Sequence, residues 1–197
     1  MGRRNLHSQE ELKELILQAA YDIIKDGRNN ITARNIAAKI GYTAGTLYHV
    51  FESLDDIVLH LKSRALDKFE ICFSEYFAEN PFTIKNFFGF YINYCLNSRQ
   101  DWLLMVERIL EKEGVPAWYQ EKFAHLFNIL IATVSQATNS DYQQASTLTK
   151  LIWASAQGLC MLSLKGQSEI VSDHDLHMLQ KEFSNLFELF VNEHALA

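Results

Sequence analysis

Between positions 32 and 49 the chain gathers the hydroxyls of Thr32, Thr43, Thr46 and Tyr48, the guanidinium of Arg34 and the imidazole of His49 around Ala44 and Gly45. Hydroxyls and a guanidinium donate well to phosphate oxygens, and a guanidinium also fits the acceptor edge of guanine. Residues as small as Ala44 and Gly45 let a backbone approach a base edge or a thymine methyl. The chemistry on offer is recognition of a nucleic acid duplex.

Those groups need a scaffold, and the run from Ile31 to Phe51 reads as two short helices across a glycine turn. Thr32 can cap the first, Ile36, Ala37 and Ile40 give it one apolar face, and Gly41 stands where a left-handed residue would end it. Thr43 can cap the second, with Leu47, Val50 and Phe51 anchoring it to a core. This is a helix-turn-helix, which lays its second helix in the DNA major groove. Upstream, Ser8-Gln9-Glu10-Glu11 is a capping box before apolar residues at helical spacing, predicting a helix from about 8 to 26 with Gly27 as its stop. Downstream, Ser53-Leu54-Asp55-Asp56 opens a fourth helix that runs to about Glu79, where Asn80-Pro81 ends it.

The quoted residues resemble the DNA-binding domain of the TetR family of bacterial repressors, whose pattern is Thr-x-x-x-Ile-Ala-x-x-x-Gly, four residues, then Thr-Leu-Tyr-x-x-Phe. Thr32, Ile36, Ala37, Gly41, Thr46, Leu47, Tyr48 and Phe51 match it. The likeness extends to the helices on either side and to an all-helical remainder. The family commonly carries a Lys at the next helix start for a phosphate contact, and Leu54 stands there instead. Following the family's habit, Tyr48 and His49 position the DNA backbone and do not read bases. Read from the residues alone, Tyr48 also suits a core ring with its hydroxyl at the surface, and His49 a solvated side chain.

Charge is segregated along the chain. Residues 1–50 hold seven Lys or Arg against five Asp or Glu, a net +2, and the rest holds eleven against nineteen, a net −8. A mildly basic head on an acidic body suits a protein that meets phosphates at one end. Arg3 and Arg4 in the N-terminal arm add two cations that could reach a groove or a phosphate.

At 197 residues, 48% hydrophobic and with Pro81 and Pro116 as its two prolines, the chain is expected to be all-α, with about nine helices. Cys72, Cys95 and Cys160 lie far apart in apolar runs without zinc or redox spacing, which predicts buried free thiols. The polar N-terminus and the lack of a long apolar run predict a cytoplasmic protein without a membrane span.

Residues 82–98 are too aromatic for one narrow stripe, so this helix should be enclosed on several sides. Further helices are read from Asp101 to about Glu113, from Ala117 to about Thr138, from Tyr142 to Lys165 with Asp141 as cap and Gly166 as stop, and from about Asp173 to Glu193. The run Trp153-Ala154-Ser155-Ala156-Gln157-Gly158 resembles the Trp-x-x-x-His-Gly signature of one TetR C-terminal class, with Gln157 in place of His. A neutral amide can hydrogen-bond but cannot change charge near neutral pH. In that class this helix and the last one pair with their mates in a four-helix dimer interface. Small Ala154, Ser155 and Gly158 permit close approach, and Leu176, Leu179, Phe183, Leu186, Phe187 and Phe190 form an apolar stripe for it, or for an internal core.

Phe87, Tyr91, Tyr94, Trp102, Met105, Phe123, Phe127 and Trp153, with Phe88 and Trp118, would wall an apolar ligand pocket between helices; they would equally build a solid core. No phosphate loop, nucleophile elbow or zinc-protease motif occurs. His174 and His177 beside Asp173 and Asp175 read as a helix start and not a metal site, and Glu107, Glu111 and Glu113 with Arg108 and Lys112 as a solvated face. No enzyme and no cofactor is expected.

The expectation is thus an N-terminal helix-turn-helix domain over 1–52 and a helical effector-binding and dimerisation domain over 53–197. As the resemblance implies, the homodimer would bind a palindromic operator in double-stranded DNA and be released by a small hydrophobic or aromatic effector. The alternative is a helical carrier or adaptor that has lost DNA binding.

Overall fold

The structure, a computed structural model, describes residues 7–26, 30–106, 114–164 and 173–194. Among the described residues there are nine helices and no strand: α1 Gln9–Asp26, α2 Ala33–Ile40, α3 Ala44–Leu47, α4 Leu54–Glu79, α5 Ile84–Asn97, α6 Arg99–Val106, α7 Ala117–Thr138, α8 Tyr142–Leu164 and α9 Asp173–His194. The expected Arg3, Arg4, Gly27, Gly166 and the charged run from Glu107 to Glu113 lie outside the described residues.

Local chemistry sets most helix starts. Ser8 and Glu11 form the reciprocal capping box: the Glu11 N–H donates to Ser8 Oγ at 3.2 Å and the Ser8 N–H to Glu11 Oε2 at 2.7 Å. Thr32 accepts from the Asn35 N–H at 3.1 Å, Ser53 from Asp56 at 3.0 Å, and Asp141 from Gln144 at 2.8 Å. Gly41 closes α2 at φ +75°, where a side chain is strained. Thr43 departs from expectation. It occupies the N-cap position of α3, but its Oγ1 lies 3.0 Å from Thr46 Oγ1 and caps no backbone N–H.

α2 packs on α1 and α3, and α1 on α4, with Ile16, Leu17, Ala20, Ile36, Leu47, Phe51 and Ile57 buried among them. At 26 residues α4 is about 39 Å long, so the same helix also reaches α5, α6 and α7. Phe69 on α4 is the hub beyond, with ring centroids 5.1–6.3 Å from Phe73, Phe90, Tyr91, Tyr94 and Trp153. The enclosed character of α5 follows: Phe87, Phe88, Phe90, Tyr91 and Tyr94 are all buried.

Two other expectations change on folding. Phe183 and Phe187 of α9 turn inward and stack on Phe88, while Leu186 is exposed, so the described part of the expected stripe divides between two sides; the side chains of Leu176 and Phe190 lie outside the described residues. Cys95 and Cys160, 65 positions apart in sequence, are buried beside one another where α5 meets α8; Cys72 is half-buried, and all three are free thiols. The proximity of the two thiols and their burial both raise the pKa of Cys160, which keeps it protonated.

Candidate nucleic-acid interface and aromatic network

The candidate interface is the α2–α3 corner. Leu47 and Phe51 are buried behind it, and the Phe51 N–H donates to the Leu47 carbonyl at 2.9 Å, which extends the short α3 by a further turn. With these two anchored inward, Thr32, Arg34, Thr43, Gly45, Tyr48 and His49 are exposed, and Ala44 and Thr46 are half-exposed. Tyr48 is 52% exposed, which removes the core-ring reading. Thr43 and Thr46 are tied to each other, so the two hydroxyls form one presented unit.

Three groups not singled out from sequence also belong here. Asn35 lies exposed beside Arg34 and donates to the Asn30 carbonyl at 2.7 Å. Lys39 pairs with Asp22 of α1 at 3.6 Å. His7 Nδ1 lies 2.6 Å from the Tyr42 hydroxyl, which brings the base of the N-terminal arm to the start of α3. Only the fold reveals this last contact, because 35 positions separate the two residues. At the start of α4, Leu54 packs against the core and is flanked by Glu52, Asp55 and Asp56, so carboxylates stand where the TetR pattern commonly has a Lys.

The corner is tied to the rest by aromatic and ionic contacts on α4. His60 stacks on Trp118 of α7, 4.9 Å between centroids, and meets Phe51 edge-on at 5.4 Å. Burial lowers the His60 pKa, as do Lys13 and Arg64, against the opposing pull of Asp56. Trp118 thus links α7 to α4. Arg64 pairs with Glu14 of α1. Lys68 pairs with Asp101 of α6 at 3.1 Å and lies 5.2 Å over the Tyr21 ring of α1.

In the body, seven of the eight residues expected around a ligand join one network of rings. From the surface inward, Phe123 meets Phe127 at 4.9 Å, Phe127 meets Trp153 at 5.2 Å, and Trp153 meets Tyr91 at 5.2 Å. Tyr91 then contacts Phe87 at 5.9 Å and Trp102 at 6.5 Å, while Tyr94 joins through Phe69. Met105 is buried in the same core, whereas Phe123 is 37% exposed at the outer end of the file. Burial raises the pKa of both Tyr91 and Tyr94. Gln157, at the position of the signature's His, accepts from the Trp153 indole N–H at 3.1 Å.

Among the described residues no group of three or more His, Cys, Asp or Glu is placed to hold a metal ion; the side chains of His174 and His177 lie outside them. No described helix is long and apolar enough to cross a membrane.

No family model and no curated protein matches the chain. Solved structures do match in fold. One, described as a regulatory protein, is 15% identical, with 95% of this chain and 98% of that chain aligned at a TM-score of 0.72. A TetR family transcription regulator from Shewanella sp. PV-4 is 12% identical, covering 91% of this chain and 98% of its own at 0.64. The transcriptional regulator FadR from Bacillus subtilis, in complex with stearoyl-CoA, is 18% identical, covering 88% and 96% at 0.60. The chain shares the all-helical fold of these structures.

Proposed function

We propose that this chain is a transcriptional regulator that binds a palindromic DNA operator as a homodimer and is released from it by a small hydrophobic effector. The observation that carries the reading is the exposed corner of Arg34, Thr43, Gly45, Tyr48 and His49, backed by buried Leu47 and Phe51. Polar donors around a nearly bare helix start suit a major groove, and we assign Arg3 and Arg4, by their charge, to the same DNA contact.

Pairing with a second copy is supported by α8 and α9. Leu151 is 45% exposed and Leu186 and Leu189 are 61% exposed, with Ala154 and Gly158 on the same side of α8 as Leu151. A methyl added at Gly158 would meet nothing within 4 Å. Glycine inside a helix costs about 1 kcal/mol relative to alanine, so packing within one chain does not account for it, whereas close approach of a second chain does. Two heads about 34–36 Å apart would address successive major grooves. An effector that prefers a splayed arrangement by roughly 100-fold, about 2.7 kcal/mol, suffices for release. We assign the head to residues 1–52 and the effector and dimer region to 53–197.

A footprint of the purified protein on its own upstream DNA tests the reading. Two protected half-sites one helical turn apart, with affinity that falls steeply as salt rises, are expected. The alternative, a carrier or adaptor without DNA binding, draws on the carboxylates around Leu54. Indifference to duplex DNA would favour it.

A further inference from the structure

A cleft of about 650 Å³ opens between the last turns of α1 and the turn that joins α5 to α6. Tyr21, Ile24 and Lys25 line it from α1, and residues 97–101 with Leu103 line it from the other side. That volume lies within the range of small-molecule sites.

Part of the lining is held in place from α4. Lys68 pairs with Asp101 at 3.1 Å and lies 5.2 Å from the centre of the Tyr21 ring, and Asp101 accepts a hydrogen bond from the Tyr21 hydroxyl. Burial and the Asp101 carboxylate push the Tyr21 phenol up to about 12, so it stays a donor. Tyr94 of α5 is buried with its hydroxyl unpartnered, near enough to Asp101 for the carboxylate to reinforce burial in raising its pKa. With the Asp101 charge met by Lys68, the other charges on the lining are those of the exposed cations Lys25 and Arg99. In a chain of net charge −6 this is a local exception. Arg99 makes a further interaction of its own, and a guanidinium has N–H donors enough to share.

We propose that this cleft binds a phosphate monoester of a small apolar alcohol, with the phosphate between Lys25 and Arg99 and the stem against Ile24 and Leu103, and that the bound ligand ties α1 to α6. The site itself stands apart from the regulator reading above; its effect on DNA rests on that reading. A phosphate presents three acceptor oxygens in a pyramid and can meet cations that come from two walls, whereas the oxygens of a carboxylate share one plane. Arg99 suits it as a fork and Lys25 as a point charge. Ile24 is buried and Leu103 half-buried, which gives the stem an apolar surface. Because Lys25 belongs to the head and Arg99 to the body, a shared phosphate restrains one against the other.

Calorimetric titration of the full chain with phenyl phosphate, inorganic phosphate and benzyl alcohol tests the site. Phenyl phosphate is expected to bind saturably, with the other two at least about ten-fold weaker, because each lacks one half of the contacts. Lys25→Gln and Arg99→Gln, both at exposed positions, should each weaken phenyl phosphate by about ten-fold at unchanged helicity. Lys181→Gln, which removes an exposed cation on α9, should leave it as in wild type. If Arg99→Gln loses helicity, Lys25→Gln decides. No saturable binding of phenyl phosphate, benzyl alcohol that binds as tightly, wild-type binding in Lys25→Gln, or an equal loss in Lys181→Gln overturns the proposal. Saturating phenyl phosphate is also expected to change the affinity for upstream DNA by about five-fold or more. An unchanged affinity overturns the tie between α1 and α6, whereas a free protein that binds no DNA sinks the regulator reading and leaves the site standing.

Discussion

The indole N–H of Trp153 donates to Gln157 Oε1 at 3.1 Å, one helical turn along α8. The amide thus does a structural job within the aromatic network: it satisfies a polar atom of a largely buried ring. Gln157→Ala leaves that N–H unpaired and is expected to cost about 1–2 kcal/mol of stability, read as a lower urea midpoint at constant slope. Gln157→His restores an acceptor and should lose less. Equal losses in the two variants would show that the hydrogen bond contributes nothing.

Arg34 and Tyr48 are exposed at the α2–α3 corner, so their loss should leave folding intact. Arg34→Ala is expected to weaken operator binding by about 1–3 kcal/mol, and Tyr48→Phe by less, with unchanged helicity and dimer mass. Wild-type affinity in both variants would remove the corner from the interface.

Gly41 ends α2 at φ +75°, and a methyl there would meet no atom within 4 Å. The cost of Gly41→Ala is therefore backbone strain alone, about 1 kcal/mol. A thermal scan of the variant should show a small drop in midpoint, while DNA affinity measured well below that midpoint falls too, because Gly41 sets the angle between α2 and α3. A midpoint equal to wild type would mean that the turn relaxes.

His60 lies between Phe51 and Trp118, and burial lowers its pKa in the folded state. Below pH 6.5 the unfolded chain takes up the proton that the folded chain refuses, so stability should fall as pH drops from 6.5 toward the lowered folded value and be fully present above 6.5. Asp56 opposes this and Lys13 and Arg64 reinforce it. Urea midpoints from pH 5 to 7 should depend less on pH in His60→Phe than in wild type. Parallel curves would assign the dependence to other groups.

Gly158 and Leu151 lie on the open side of α8, where single-chain packing tolerates larger groups. Gly158→Arg is expected to give a folded monomer by sedimentation, with wild-type helicity and DNA affinity reduced to that of a single head. A variant that stays dimeric would move the interface elsewhere.

Reading order along the chain was enough for the caps of α1, α2, α4 and α8, the left-handed turn at Gly41 and the corner built around Leu47 and Phe51. Those features depend on residues a few positions apart, where backbone donors, short polar side chains and helical period act locally. The membership of the aromatic network was also visible as residue types. Its arrangement was not: whether Phe123 is buried or exposed, whether Phe183 and Phe187 meet Phe88, and whether Cys95 meets Cys160 depend on how helices dozens of residues apart rotate against one another. The sequence by itself determined the helices, most of their starts and the exposed polar groups of the α2–α3 corner. Tertiary packing decided which polar atoms were left without partners in the core, because satisfaction of a buried hydroxyl or indole is a property of the neighbours that folding brings to it.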